Sequence, residues 1–345
     1  MNEKKTYNPA IDLLRIIAIL AVVLVHTTTR TLEVSHYYLD QIPFTLFLNQ
    51  IARFAVPLFF LISGFVLELN YPFHANYLTY LKKRFNKILI PYVFWSAIYY
   101  FFVYTHHKIN FFQTLLGGNA SYQLYFIPSL LIFYLLFPFI HRYYQTLSKK
   151  SILLVLGSLQ LILLSLDYYA HAVPFFYPIN IVLLNYFVFF LGVSASHHHE
   201  RIMTFIKKWI SVITLMAVAT GLFIFFEGRY FYLKTHNYLS FYSQWRPSVF
   251  FYTLFLTPSL YYFLSQLKLG HGIKKFSHLS FFVFFVHVIV LETAWDFIEA
   301  PLFKDNPQII HQVWYDPLWF LLVSGISFLL AYVVRKLPFA SKITG

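Results

Sequence analysis

Two residues in the first apolar stretch of this chain, Arg15 and His26, carry groups able to do acid–base and anion chemistry. They are eleven residues apart, close to a whole number of turns at 3.6 residues per turn. On a helix both therefore project from one face, with Ile19 and Val22 between them. At helical rise His26 lies about 16 Å beyond Arg15. An imidazole titrates near neutrality and is the usual general base. A guanidinium keeps its charge and grips oxyanions, phosphates and carboxylates. Asp12, three residues before Arg15, is placed to pair with it, so Arg15 also reads as a snorkelling arginine neutralised near the headgroups. For His26 the plainer alternative is a histidine satisfied by a neighbouring helix.

Arg53 in the second apolar stretch lies at a depth near that of His26, because successive stretches run in opposite directions. A fixed charge there requires an acidic partner or an anionic ligand. Glu292 in the ninth stretch falls at a similar level, so it can pair with Arg53, orient His26, or serve a purely structural ion pair. His287 lies in the same stretch, about 12 Å from its start at helical rise. The run His197, His198, His199 and Glu200 holds metal-ligand types, but consecutive residues do not share a helix face. A solvated loop is the favoured reading, and no metal site is expected. His106, His107, Asp167 and Asp296 read likewise as solvated ends and loops.

The elements that must hold these groups follow from composition. Of 345 residues, 59% are hydrophobic and only 11% charged. A soluble protein carries charge at roughly a quarter of its positions, so this inventory cannot build a water-facing surface. Apolar runs of about 20 residues cross a bilayer. Ten such windows stand near 11–29, 44–69, 88–105, 124–141, 151–167, 179–196, 209–226, 248–266, 279–297 and 316–335. The fold expected is an all-α membrane protein of about ten transmembrane helices in a single domain, 1–345. Prolines such as Pro57, Pro91 and Pro138 fall within these windows, which membrane helices tolerate when neighbours satisfy the freed carbonyls.

The net charge of +13 concentrates in alternate loops, among them Lys82, Lys83, Arg84 and Lys87. Basic residues mark the cytoplasmic side, which puts both termini inside and makes the first stretch a signal anchor. No nucleic-acid motif accompanies the charge. With no cysteine, disulfides, Cys-ligated zinc and a thiolate nucleophile are excluded. The outer loop from Glu227 to Pro247 is rich in aromatics; Tyr232, Tyr238 and Trp245 are candidates to stack on a sugar, or simply an interfacial belt.

The run from Asn8 to His26, with a basic residue, ten intervening residues and then histidine, resembles the first helix of the acyltransferase 3 family of integral membrane O-acyltransferases. Phe59-Phe60-Leu61-Ile62-Ser63-Gly64-Phe65 is similar to that family's Phe-Phe-x-x-Ser-Gly-Phe signature. The lead-in from Arg53 to Pro57 resembles the branch containing the enterobacterial common antigen O-acetyltransferase. Arg84 and Lys87 ahead of Pro91, Tyr125 to Pro128, Tyr186 to Gly192, and Ser280 to His287 match further landmarks in order, with Lys87 replacing an arginine and Tyr125 a tryptophan.

The resemblance implies transfer of an acyl group, acetyl in the first instance, from a cytoplasmic acyl-CoA to a hydroxyl of a surface or lipid-linked glycan, in the plasma membrane. It implies His26 and Arg15 as catalytic, and Arg53, Arg84, Lys87, Tyr125, His287 and Glu292 as substrate-binding. Acyl-CoA, glycan and membrane lipid are then the partners, with no bound cofactor. A transporter or flippase exporting a polysaccharide or its precursor is the alternative, since buried charges suit transport too.

Overall fold

The computed structural model describes residues 9–34, 43–71, 76–104, 109–171, 176–235, 243–268, 270, 272–338 and 340–344. Lys4, Lys5, His106, His107 and Tyr238 lie outside them. Among the described residues the chain is helical throughout, with no strand.

The first apolar window is α1 (Pro9–Val34). The second is broken into α2 (Pro43–Ile51) and α3 (Ala55–Asn70). At the break, Gln50 O accepts from Arg53 N at 3.1 Å and Ala52 O from Ala55 N at 3.2 Å. Pro57 stands in the first turn of α3, where a missing N–H leaves no helical bond unmade. The Arg53–Pro57 lead-in is thus the chemistry of a broken span.

α4 (Tyr77–Ile98) runs into a π-helical turn, Tyr99–Val103. The short α5 (Phe111–Gly117), then α6 (Phe126–Arg142), α7 (Tyr144–Leu147) and α8 (Lys150–Ala170) follow. Next come α9 (Tyr177–Leu183), α10 (Tyr186–His197), α11 (His199–Thr235) and α12 (Pro247–Ser265). The chain ends with α13 (Gly272–Ser277), α14 (Ser280–Ala294), α15 (Ala300–Asp305), α16 (Tyr315–Val334) and α17 (Ala340–Thr344).

Among the described residues six spans are long and apolar enough to cross a membrane, or seven if the pair α9 and α10, bent by 50°, counts as one span. The other three expected windows fall on α4, α6 and α12. Basic residues from Lys82 to Lys87 lower the apolarity of α4, α6 is only 17 residues long, and prolines, serines and tyrosines dilute α12. Over most of its length α8 is exposed, as a lipid-facing helix must be, whereas α1 is largely enclosed. This is a multi-pass membrane protein.

The chain divides into two compact units. Unit I comprises Asn8–Val56 and Ile206–Val334. Within it α1 packs against α2, α12, α13, α14 and α16. Ala18, Ile19 and Val23 of α1 are fully buried, with Val249, Phe285 and Val288. Unit II comprises Pro57–Phe205 with the segment that begins at Arg335. There a Cβ on Gly64 would fall 2.1 Å from Phe189 O, and one on Gly192 would fall 2.0 Å from Leu61 O. Only glycine lets the backbones of α3 and α10 approach that closely, the small-residue crossing typical of membrane helices. The glycines of the Ser-Gly-Phe and Leu-Gly landmarks are therefore packing residues. Beside them Phe133 stacks on Phe189 at 4.4 Å between centroids.

Candidate functional site

His26 lies in unit I, partly open, and its ring centroid is 5.3 Å from that of His287. The two imidazoles come from α1 and α14, two helices in direct contact. His287 is fully buried, and its Nδ1 is 2.9 Å from Val283 O. A carbonyl can only accept, so Nδ1 carries the proton and Nε2 is left as an acceptor, with no hydrogen-bond partner. An orphaned acceptor of this kind in a dry interior is costly and points to a group delivered from elsewhere. Arg53 is close enough to His26 to act on it electrostatically, as is His287. The three form one cluster.

The break between α2 and α3 presents Arg53, which is buried, to Asn49. Its Nε donates to Asn49 Oδ1 at 3.1 Å, and its Nη2 reaches the same oxygen. The amide of Asn49 in turn donates to Thr28 Oγ1 at 3.0 Å on α1. Gln50 Nε2 also donates to Asn49 Oδ1, while its Oε1 accepts from Arg246 Nη2. Arg246 is entirely buried and salt-bridged to Glu227 Oε2 at 2.9 Å. A polar chain thus runs from α1 through Arg53 to the ends of α11 and α12, fixing the guanidinium that acts on His26.

Glu292 pairs with Arg30, whose guanidinium also stands 5.2 Å over the Trp295 ring. Arg30 lies one helical turn beyond His26. Arg15 donates to Asp12 Oδ1 at 2.9 Å, and Ser277 Oγ donates to the same oxygen at 2.9 Å. Ile19 and Val22, on the stripe between Arg15 and His26, are buried. Asp316 ties the frame together, accepting from Thr31 of α1 at 2.7 Å and from Thr45 of α2.

The remaining expected residues belong to unit II. Arg84 and the exposed Lys87 share a face of α4, with Arg84 5.7 Å over the Tyr80 ring. Tyr125, at the start of α6, meets Tyr177 edge-on at 5.4 Å. It is also why Gly118 is glycine: φ there is +72°, and a Cβ would lie 2.5 Å from Tyr125 Cα. Of the aromatic candidates, Tyr232 and Trp245 are buried and offer no open stacking face. They form part of the core because α11 continues to Thr235, well past the expected loop boundary.

The outer loop expected from Glu227 to Pro247 takes in both Glu227 and Arg246, and neither they nor Asn49 and Gln50 stood out in the sequence. One signal was there: opposite charges bracket the longest outer loop, as a pair closing it would.

A multi-pass membrane protein with two facing imidazoles, one of them buried, and a guanidinium acting on the other is equipped for proton transfer and anion stabilisation. The sequence model of the acyltransferase 3 family, described as an acyltransferase domain, matches residues 8–336, and the chain belongs to that family. It is also similar to a protein of Staphylococcus aureus strain MRSA252 named "Probable poly-beta-1,6-N-acetyl-D-glucosamine export protein", 26% identical over 313 residues, covering 86% of this chain and 85% of the relative. A Staphylococcus epidermidis protein of the same name is 26% identical over 342 residues, covering 94% and 90%. No solved structure matches.

Proposed function

We propose that this protein transfers an acyl group, acetyl in the first instance, from cytoplasmic acyl-CoA to a hydroxyl of a surface or lipid-linked glycan at the plasma membrane. The observation that carries the reading is the cluster of His26, His287 and Arg53, within a family described as an acyltransferase domain. In the proposed reaction His26 takes the proton of the acceptor hydroxyl as its oxygen attacks the thioester carbonyl. Arg53 holds the oxyanion as the tetrahedral intermediate forms. The intermediate collapses by breaking the carbon–sulfur bond, and the proton on His26 returns to the departing CoA thiolate. The alternative order, with the acyl group resting on His26 before reaching the sugar, uses the same groups. His287 supplies an acceptor that can orient the incoming hydroxyl or the His26 ring.

With the basic loops on the cytoplasmic side, Arg84 and Lys87 face the CoA phosphates and Arg15 lies at the donor end of α1. Glu292, held by Arg30, supports the outer part of the site. The names of the two relatives favour a second reading, export of the polymer. They also make β-1,6-linked N-acetylglucosamine the first acceptor to try.

The experiment is incubation of purified, reconstituted protein with radiolabelled acetyl-CoA and that polymer. Label in the polymer supports the acyltransferase. Unlabelled polymer accumulating across the vesicle wall, with no transfer, would replace it with the exporter.

A further inference from the structure

Unit II holds a second group of histidines that the reaction above does not use. Glu68 near the end of α3, His141 in the last turn of α6 and His197 at the last residue of α10 converge, with their ligand atoms all within 4.8 Å of one another. His141 Nδ1 is 2.9 Å from Glu68 Oε1 and 3.0 Å from Oε2. His197 Nε2 is 2.9 Å from the same Oε1.

We propose that Glu68, His141 and His197 form a zinc-binding site joining the ends of α3, α6 and α10. The donor set, two imidazoles and one carboxylate, is one that zinc accepts while keeping a fourth position for water. In a tetrahedral site with bonds of about 2.0–2.1 Å, ligand atoms stand about 3.3 Å apart. Each imidazole nitrogen would move a few tenths of an ångström out from the Glu68 oxygen, and the ligand atoms, now within 4.8 Å of one another, would draw in to that spacing.

Electrostatics argue in the same direction. The Glu68 side chain is 6% exposed and stands at the C-terminal end of its helix, where the helix dipole is negative and repels a carboxylate. The ends of α6 and α10 add the same sign. A cation at this point is favoured by the buried carboxylate and by three helix ends together. The imidazoles are 32% and 34% exposed, which leaves an ion a way in.

Supporting contacts hold the ligands in orientation. His197 stacks on Tyr144 at 3.9 Å, Tyr144 OH is 3.3 Å from Ser194 Oγ, and His141 packs against Tyr71 at 4.8 Å. The objection that adjacent histidines do not share a helix face is met, because His197 alone turns to the partners on α3 and α6.

The test is the metal content of the full-length protein, purified in detergent with a tag that contains no histidine. One zinc per chain is expected, removed by a chelator with a fall in Tm and restored by added Zn²⁺. Co²⁺ in its place should give a visible d–d band. Glu68→Gln and His197→Gln should each weaken zinc binding at least tenfold, and His198→Gln should leave it unchanged. Wild-type protein with far less than one zinc per chain, and no Tm response to Zn²⁺, overturns the proposal and leaves an ion-paired cluster only. The wild-type reading decides even if a variant fails to fold.

Discussion

Each unit holds a pair of histidines, and the two pairs are built for opposite charges. In unit II a buried carboxylate draws two imidazoles around itself at the negative ends of helices, an arrangement that calls for a cation. In unit I the imidazoles of α1 and α14 sit in the body of their helices, and the Arg53 guanidinium, which donates to Asn49 Oδ1, acts on His26. Such a site calls for an anion, and an acyl-transfer oxyanion is one. The difference teaches that residue type says little about a membrane histidine. The sign of the charge fixed beside it says much more.

That contrast can be broken from either side, beginning with the largest expected effect. His26→Gln should lower acyl transfer by about 10²–10⁴-fold, the usual contribution of a general base, with an unchanged size-exclusion profile. Next, Arg53→Ala should cost about 10²–10³ in kcat, with part recovered by Arg53→Lys, since an oxyanion donor is lost but charge returns. Full activity in Arg53→Ala would place the anion elsewhere.

Arg246→Ala leaves the buried Glu227 carboxylate uncompensated. The cost should be about 3–5 kcal/mol of stability, read as a lowered Tm of the detergent-solubilised protein, whether or not activity is assayed. Gly192→Ala should destabilise by about 1–3 kcal/mol through the α3–α10 crossing, with kcat little changed in the protein that folds. A selective loss of kcat there would tie unit II to the chemical step. The smallest effect is Lys87→Ala. An exposed phosphate contact is worth about 1 kcal/mol or less, so KM for acyl-CoA should rise a few-fold with kcat unaltered.

Much of the frame was legible in the sequence. Each of the ten apolar windows coincides with helix, because long runs of Leu, Ile, Val and Phe between basic loops have few other solutions in a bilayer. The placement of His26 and His287 on long apolar helices could be read from the sequence. Partner choice could not. Glu292 pairs with Arg30, one turn beyond His26. That outcome depends on the rotation of α1 against α14, which hydropathy does not encode. Arg246 was hidden because a basic residue beside a proline in an aromatic loop looks solvated, while α11 in fact runs on to Thr235 and carries Glu227 to it. Glu68 left no signal, since one carboxylate at a span end is ordinary until His141 and His197 converge on it.

The account stands most directly on what His26 does to the thioester. The measurement is single-turnover release of CoA thiol from acetyl-CoA, with acceptor present, by wild type and His26→Gln purified in parallel. Release by the wild type matched to acetyl found on the sugar, and none above background by an equally folded variant, is the result expected. Equal release by both proteins, or release by neither while polymer still crosses the membrane, would contradict it.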